Sequence, residues 1–235
     1  MKYQWAAATH PGRVRNNNED SYAPEASGAG TGPVVLMVAD GMGGAIGGEV
    51  ASQLAVEHAA AGSGSPIERV MRANQAVVDR TLREPGLAGM GTTLTLAELG
   101  PDGAIRLAHV GDSRAYLWHE DELEQVSQDH TVVAEQLAAG HISPTDVATH
   151  PQRSMLTRVL GISPDLEVES LTIETVAGDR LLICSDGLTN MVEDQQIAAL
   201  LSRGTPEEAV WALIEAANRA GGHDNVTVVV VDVEE

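Results

Sequence analysis

Phenylalanine is absent from this 235-residue chain, and Trp and Tyr supply an aromatic share of only 3%. Its core must therefore come from Val, Leu, Ile, Ala and Met; a hydrophobic content of 43% suffices for one large domain. Cysteine is almost missing as well. The single Cys184 excludes an internal disulfide, and its place in the apolar run LLICS reads as a buried small side chain. Positive charge is scarce: 14 Lys and Arg against 34 Asp and Glu leave a net charge of -20. That balance excludes binding by counterion release, so nucleic acid is not an expected partner. Long apolar runs are lacking. No stretch approaches the roughly 20 residues of a membrane span, and MKYQWAAATHPGR has no apolar core of signal-peptide length. A soluble cytoplasmic protein without a membrane partner is expected. The linker-like stretches Pro24 to Pro33 and Gly62 to Pro66 are too short to part domains, so residues 1–235 read as one domain.

Strand-like runs rich in β-branched residues and bounded by Gly, Asp or Pro are plentiful. They span Val34 to Ala39, Thr92 to Glu98, Ile105 to Val110, Arg114 to Trp118, Val168 to Ile173, Arg180 to Cys184 and Val226 to Val233. Helical patterns cover Gly48 to Ala61 and Pro66 to Leu82. Ser65-Pro66-Ile67-Glu68 and Thr205-Pro206-Glu207-Glu208 are capping boxes with Pro in the first turn, and Ser143-Pro144-Thr145-Asp146 is a variant. Strands and helices do not alternate strictly, which predicts sheets with helices packed outside them, an α+β arrangement.

Five carboxylates sit in short signatures spread along the chain: Asp20 in NNNEDS, Asp40 in VADGMGG, Asp112 in HVGDSR, Asp186 in CSDG and Asp224 in GGHDNVT. Each lies at the edge of an apolar or β-branched run, so a fold that gathers those edges gathers the acids. Two like charges about 4 Å apart repel by roughly 4 kcal/mol at an effective dielectric near 20, and bound cations are the usual remedy. Oxygen-rich ligands with little sulfur or paired histidine favour Mg²⁺ or Mn²⁺ over structural Zn²⁺. The acids alone thus point to a multi-metal enzyme.

In order, the segments GRVRNNNEDS, VADGMGG, GMGTTLTL, HVGDSRAYLW, DHT, HPQRSMLTRVLG, LLICSDGLTN and GGHDNVTVVVV resemble the metal-dependent serine/threonine protein phosphatases (type 2C, PPM), particularly the compact bacterial members. The likeness runs from about Gly12 to Asp232. It implies a four-layer α-β-β-α sandwich of two central antiparallel sheets, with a metal cleft at one end. Position by position, it implies that Asp40 bridges two metals, with the Gly41 carbonyl on one, while Asp186 and Asp224 complete the other. Glu19 and Asp20 would hold metal-bound waters. Asp112, with Asp186, would bind a weaker third ion. Arg15 matches the phosphate-binding arginine, a role suited to a planar guanidinium that can grip two phosphate oxygens.

The implied chemistry is direct attack on phosphoserine or phosphothreonine by a water between two cations, without a phosphoenzyme; metal binding can lower water's pKa from roughly 15.7 to about 7. Cys184 lacks the Gly-rich loop and following Arg of a cysteine phosphatase. Ser113 and Ser185 read as positioned small polar residues rather than nucleophiles. One departure stands out: relatives often carry His where this chain has Ala45. The proton-donor role is then either empty or taken by His223. Ser127 to Gly161, with His130, His141, Pro151 and Arg153, matches a variable flap beside the active site. Expected partners are phosphorylated proteins and a cognate Ser/Thr kinase, and a monomer is expected. A non-catalytic phosphoprotein-binding module on the same fold, or a two-metal phosphodiesterase or nuclease, are the competing readings.

Overall fold

The computed structural model describes residues 1–235 apart from the surroundings of Gly44 and Ala45. In chain order the strands are β1 (Lys2–His10), β2 (Asp20–Ala23), β3 (Gly28–Gly30), β4 (Val34–Met42), β5 (Gly91–Thr92), β6 (Leu94–Leu99), β7 (Ala104–Val110), β8 (Arg114–His119), β9 (Glu122–Gln125), β10 (Glu169–Glu174), β11 (Arg180–Cys184) and β12 (Val226–Glu234). The helices are α1 (Gly44–Ala60), α2 (Pro66–Arg83), α3 (Val132–Ala138), α4 (Pro144–Val147), α5 (Asp186–Thr189), α6 (Asp194–Leu201) and α7 (Pro206–Arg219). One sheet runs β3-β1-β12-β11-β8-β9. The other runs β10-β7-β6-β4-β2, with β5 beside the end of β4. Every named strand pair is antiparallel.

Alternation along the strands sorts the core into layers, because successive side chains point to opposite faces. In the first sheet Leu181, Ile183, Val229, Val231 and Val233 meet Leu36, Val38, Ala97, Leu99, Ile105 and Leu107 of the second, forming the inter-sheet layer. The residues between them face outward. Leu182, Cys184, Val228 and Val230 pack on Ile197 and Leu201 of α6 and on Val210, Leu213 and Ile214 of α7. Met37, Ala39, Leu94, Leu96, Ala108 and Val110 pack under α1 and α2, through Ala51, Ala55, Val70, Ala73 and Val77. The result is the expected α-β-β-α sandwich. Each of these buried aliphatic chains contributes about 1.5–3 kcal/mol relative to exposure, so many small contacts replace the missing aromatics. Tyr3 is one of two fully buried tyrosines, and its hydroxyl donates to Gly100 O at 2.6 Å, satisfying the polar tip.

The capping boxes form. Glu68 N and Glu208 N donate to the Ser65 and Thr205 hydroxyls while each glutamate reaches back to its cap. At α4, Ser143 N and Oγ both bind the Asp146 carboxylate. Register then decides where the site lies. The pairs His10↔Val226, Asp20↔Asp40, Leu94↔Val110, Cys184↔Val228 and Cys184↔Arg114 all fall at strand ends that precede or follow an acidic signature. Antiparallel pairing therefore delivers all five aspartates to one end of the sandwich.

Candidate active site

A cleft of about 750 Å³ opens at that end, lined by Arg15, Glu19, Asp40, Gly41, Asp112, Asp186 and Asp224 among others. Asp40 directly follows the buried run Leu36 to Ala39 of β4. Its backbone is locked: Asp40 N donates to Thr93 Oγ1 at 2.9 Å, and Asp40 O accepts from Thr92 Oγ1 and Thr93 N, each at 2.9 Å. Burial, then Asp20, Asp186, Asp112 and Asp224, push its carboxyl well above the usual carboxylate range. Asp112 occupies the turn from β7 to β8, and burial followed by Asp186 raises it to about 7. Asp186 starts α5 directly after β11. Burial and Asp224 raise it, opposed by hydrogen bonds to Asp40 and to Asn190 Nδ2, the latter at 2.9 Å. Asp224 accepts from Arg15 Nη2 at 2.7 Å and from Asn225 N at 2.9 Å.

Asp20 lies behind this rim, in β2 opposite Asp40. Its Oδ2 accepts from Ser185 Oγ at 2.7 Å and Thr227 Oγ1 at 2.6 Å, whereas its buried Oδ1 has no partner in the protein. Burial raises this carboxyl to about 7. Glu19 is half-buried, and burial raises it too, against the pull of Arg15. Asn225 ties the Arg15 loop down: its Nδ2 donates to Pro11 O and Asn17 O, and its Oδ1 accepts from Glu19 N. Gly41 is required sterically, since a Cβ there would collide with Gly48 O and lie 2.7 Å from Glu19 O. Gly12, at φ 78°, leaves no room for a Cβ against Asp224 O.

Thr93, Asn190, Asn225 and Thr227 are supporting residues that sequence reasoning did not single out, although each stands within a quoted segment. Ser185 and Ser113 do serve as positioned polar groups, Ser113 Oγ lying 2.8 Å from Thr93 Oγ1. Cys184 is buried, and burial pushes its thiol up to about 12, so it is no nucleophile.

The donor set fits hard divalent cations. Four aspartates of like charge share a cleft whose oxygen ligands lack sulfur or a facing imidazole, and Asp20, behind them and electrostatically coupled to Asp186 and Asp224, keeps a buried carboxylate oxygen without a partner in the protein. Asp40, Gly41 O, Asp186, Asp224 and Asp112 could hold ions there. A second group, His109, His130 and Glu169, also has metal-like spacing. Its nitrogens are already engaged: His109 with Thr95 Oγ1 (2.9 Å) and Gln128 O (3.1 Å), His130 with Gly111 N (3.1 Å) and Arg158 Nη1 (3.2 Å). Burial lowers these imidazoles to about 4 and about 3, so both are neutral struts.

The 127–161 segment runs along the cleft. The bridges Thr131↔Leu156 and Thr92↔Leu160 brace its ends, and Ser154 and Leu156 line the cleft wall. His223 lies in an adjoining groove rather than in the cleft itself. The expectation at Ala45 falls outside the described residues.

Residues 12–211 match the family model described as Protein phosphatase 2C. The chain belongs to the protein phosphatase 2C family. It is 42% identical over 240 residues to the serine/threonine protein phosphatase PstP of Mycobacterium tuberculosis, a match covering 98% of this chain and 45% of that protein. The chain thus spans about half the length of that curated relative. It is 38% identical to the serine/threonine phosphatase stp of Listeria innocua, covering 95% of this chain and 93% of the other. The crystal structure of M. tuberculosis PstP/Ppp superposes with a TM-score of 0.89 at 40% identity, covering all of both chains. A structure of the PstP catalytic domain with two manganese ions superposes with a TM-score of 0.87 at 37% identity, covering 100% of this chain and 99% of the other. No helix among the described residues is long and apolar enough to cross a membrane.

Proposed function

We propose that this protein hydrolyses phosphoserine and phosphothreonine in proteins, using Mg²⁺ or Mn²⁺, and opposes a cognate Ser/Thr kinase in the cytoplasm as a monomer. The observation that carries this reading is the convergence of Asp40, Asp112, Asp186 and Asp224 on one cleft beside Arg15. Likeness to PstP, stp and the manganese-containing PstP domain supports it. Two tightly held ions would lie on Asp40, Gly41 O, Asp186 and Asp224, and a weaker third on Asp112 with Asp186. Bound divalent cations supply an acidified water and positive charge for the phosphoryl oxygens.

The protein's own groups supply the rest. Arg15 grips two phosphoryl oxygens with its guanidinium and orients the ester for in-line attack. Its starting position against Asp224 keeps it at the cleft mouth. Glu19 and the partnerless Oδ1 of Asp20 orient water, the latter held in place by the Ser185 and Thr227 hydroxyls. Residues 127–161 act as the flap that limits which protein segments reach the cleft. His223 is the candidate donor of the leaving-group proton, approaching from the adjoining groove.

Turnover of p-nitrophenyl phosphate and a phosphoserine peptide with added Mn²⁺ or Mg²⁺, abolished by EDTA, is the expected result. Full activity in metal-free buffer would sink this reading. Faster turnover of a phosphodiester than of the monoester would favour the nuclease-like alternative, and binding without turnover the non-catalytic one.

A further inference from the structure

Beside the cleft lies a second groove of about 370 Å³, which shares Arg15, Ser154, Asp186 and Asp224 with it and adds Arg153 and His223. A peptide whose phosphorylated residue enters the cleft must leave it somewhere, and this groove is a continuous exit. We propose that it is a subsite for a second anionic group on the substrate, a carboxylate or a second phosphate close in sequence to the phosphorylated residue, gripped by Arg153. The inference rests on the phosphatase reading.

The distribution of cations carries the argument. Most arginines are already occupied: Arg80 by Glu84, Arg106 by Asp102, Arg114 by Asp129, Arg158 by Glu167 and Arg180 by Asp232, while Arg72 binds backbone carbonyls. Arg153 is exposed, and its guanidinium has no partner among the described residues. In a chain of net charge -20, an uncompensated cation beside the reactive cleft is rare. Of the other basic side chains without a partner, Lys2 sits at the far end of β1 opposite Glu234, and Arg203 follows α6 near Arg180. Arg13 instead backs the same loop as His223, its backbone N–H donating to Gly222 O at 2.7 Å. Arg13 lines a separate pocket with Glu215 and Asn218, so among the described residues Arg153 is the unpaired arginine that lines the groove beside the cleft. Ser154 and the His223 imidazole add hydrogen-bonding groups along the same wall.

An extended peptide advances about 3.3 Å per residue. The groove adjoins the cleft directly, so the second anion belongs within about three residues of the phosphorylated one. Arg153 can grip either a carboxylate or a phosphate bidentately. Because the site is open to solvent, the gain is that of an exposed ion pair, about fivefold in KM.

The test uses three phosphoserine peptides of equal length: one with neutral flanks, one with Glu within three residues, and one with a second phosphoserine there. Wild type, Arg153→Ala and Arg153→Glu are compared with Mn²⁺, and p-nitrophenyl phosphate serves as a substrate too small to reach the groove. We expect about fivefold lower KM for both anionic peptides in wild type, no preference in Arg153→Ala and a reversed one in Arg153→Glu. The aryl ester should be unaffected. A gain confined to the doubly phosphorylated peptide, and lost in Arg153→Glu, supports the subsite and restricts its occupant to phosphate. Equal KM values for all three peptides in wild type, or a preference that survives in Arg153→Glu, overturn it. Peptide binding by fluorescence anisotropy separates the two readings: absent turnover defeats the phosphatase assignment, whereas absent Arg153-dependent affinity differences defeat the subsite.

Discussion

Arg15 Nη2 stands 2.7 Å from Asp224 Oδ2, so the cation suited to substrate phosphate is held by a carboxylate suited to a metal. Phosphate and metal therefore relieve each other's competition: an ion on Asp224 frees Arg15, and a phosphate on Arg15 frees Asp224. Both side chains are substantially exposed, at 54% and 37%, which limits the pair's worth to about 0.2–1 kcal/mol.

Arg15→Ala should consequently leave the melting temperature within about 4 °C of wild type while raising KM for phosphopeptides more than it lowers kcat. Calorimetric titration should show Mn²⁺ binding at least as tightly as before, because Asp224 loses its competitor. An unchanged KM would reduce Arg15 to a solvated loop residue.

Asp40→Asn should abolish nearly all turnover, since Asp40 is the carboxyl on which Asp20, Asp186, Asp112 and Asp224 all act. A variant within about tenfold of wild type, a loss of only ~1.4 kcal/mol in the barrier, would contradict the bridging role. The same change removes a site of mutual repulsion. In EDTA, Asp40→Asn should melt higher than wild type, by about 2–4 °C for each kcal/mol relieved.

Chelated protein should also respond to pH. Asp20 and Asp112 are raised to about 7 by burial, from the usual value near 4. A carboxyl raised in the folded state binds more protons there than in the unfolded chain. Its stabilising contribution is complete below about pH 4 and is lost as pH rises through about 7. In EDTA the melting temperature should fall between pH 5 and pH 8, and Mn²⁺ should restore it most at the upper end. A melting temperature that rises over that interval in EDTA would refute the electrostatic account.

Leaving-group chemistry separates the two histidine readings. A serine alkoxide needs a proton in the transition state far more than p-nitrophenolate does, and general acid catalysis is worth about 10² to 10⁴ in rate. If His223 supplies it, His223→Ala should lower kcat for phosphoserine peptides by about 10² or more and spare the aryl ester. If the role is empty, Ala45→His should speed the peptides selectively and His223→Ala should leave kcat unchanged. A rise in KM without a change in kcat would assign His223 to peptide binding alone.

Legibility followed the strength of local patterning. β12 and β11 were plain because VTVVVV and RLLIC are almost all branched or apolar and are buried on both faces. β1 was not recognised: KYQWAAATH has three alanines in a row and little β-branching, and it is a strand because β3 and β12 flank it on both sides. α1 was expected from Gly48 but spans Gly44–Ala60; Gly47 and Gly48 lie close against Met90 and Glu19, an approach that outweighs their poor helix propensity. In the site, the acids declared themselves by their Gly- and Asn-rich settings. The hydroxyls that orient Asp20 did not, because Ser185 and Thr227 reach it from the other sheet, only when the two sheets pack face to face.

The acids also belong to different sheets. Asp20 and Asp40 ride on β2 and β4 of one, Asp186 and Asp224 adjoin β11 and β12 of the other, and Asp112 sits on the turn that passes between them. Ions held among them would act as a clasp on one end of the sandwich, adding to the largely aliphatic inter-sheet layer and the Ser185 and Thr227 hydrogen bonds to Asp20. Removing the ions would then do more than silence chemistry: it would unfasten that end, so that amide exchange quickens first around Asp40 and Asp224 while the opposite end, near Val233 and Leu99, stays shut.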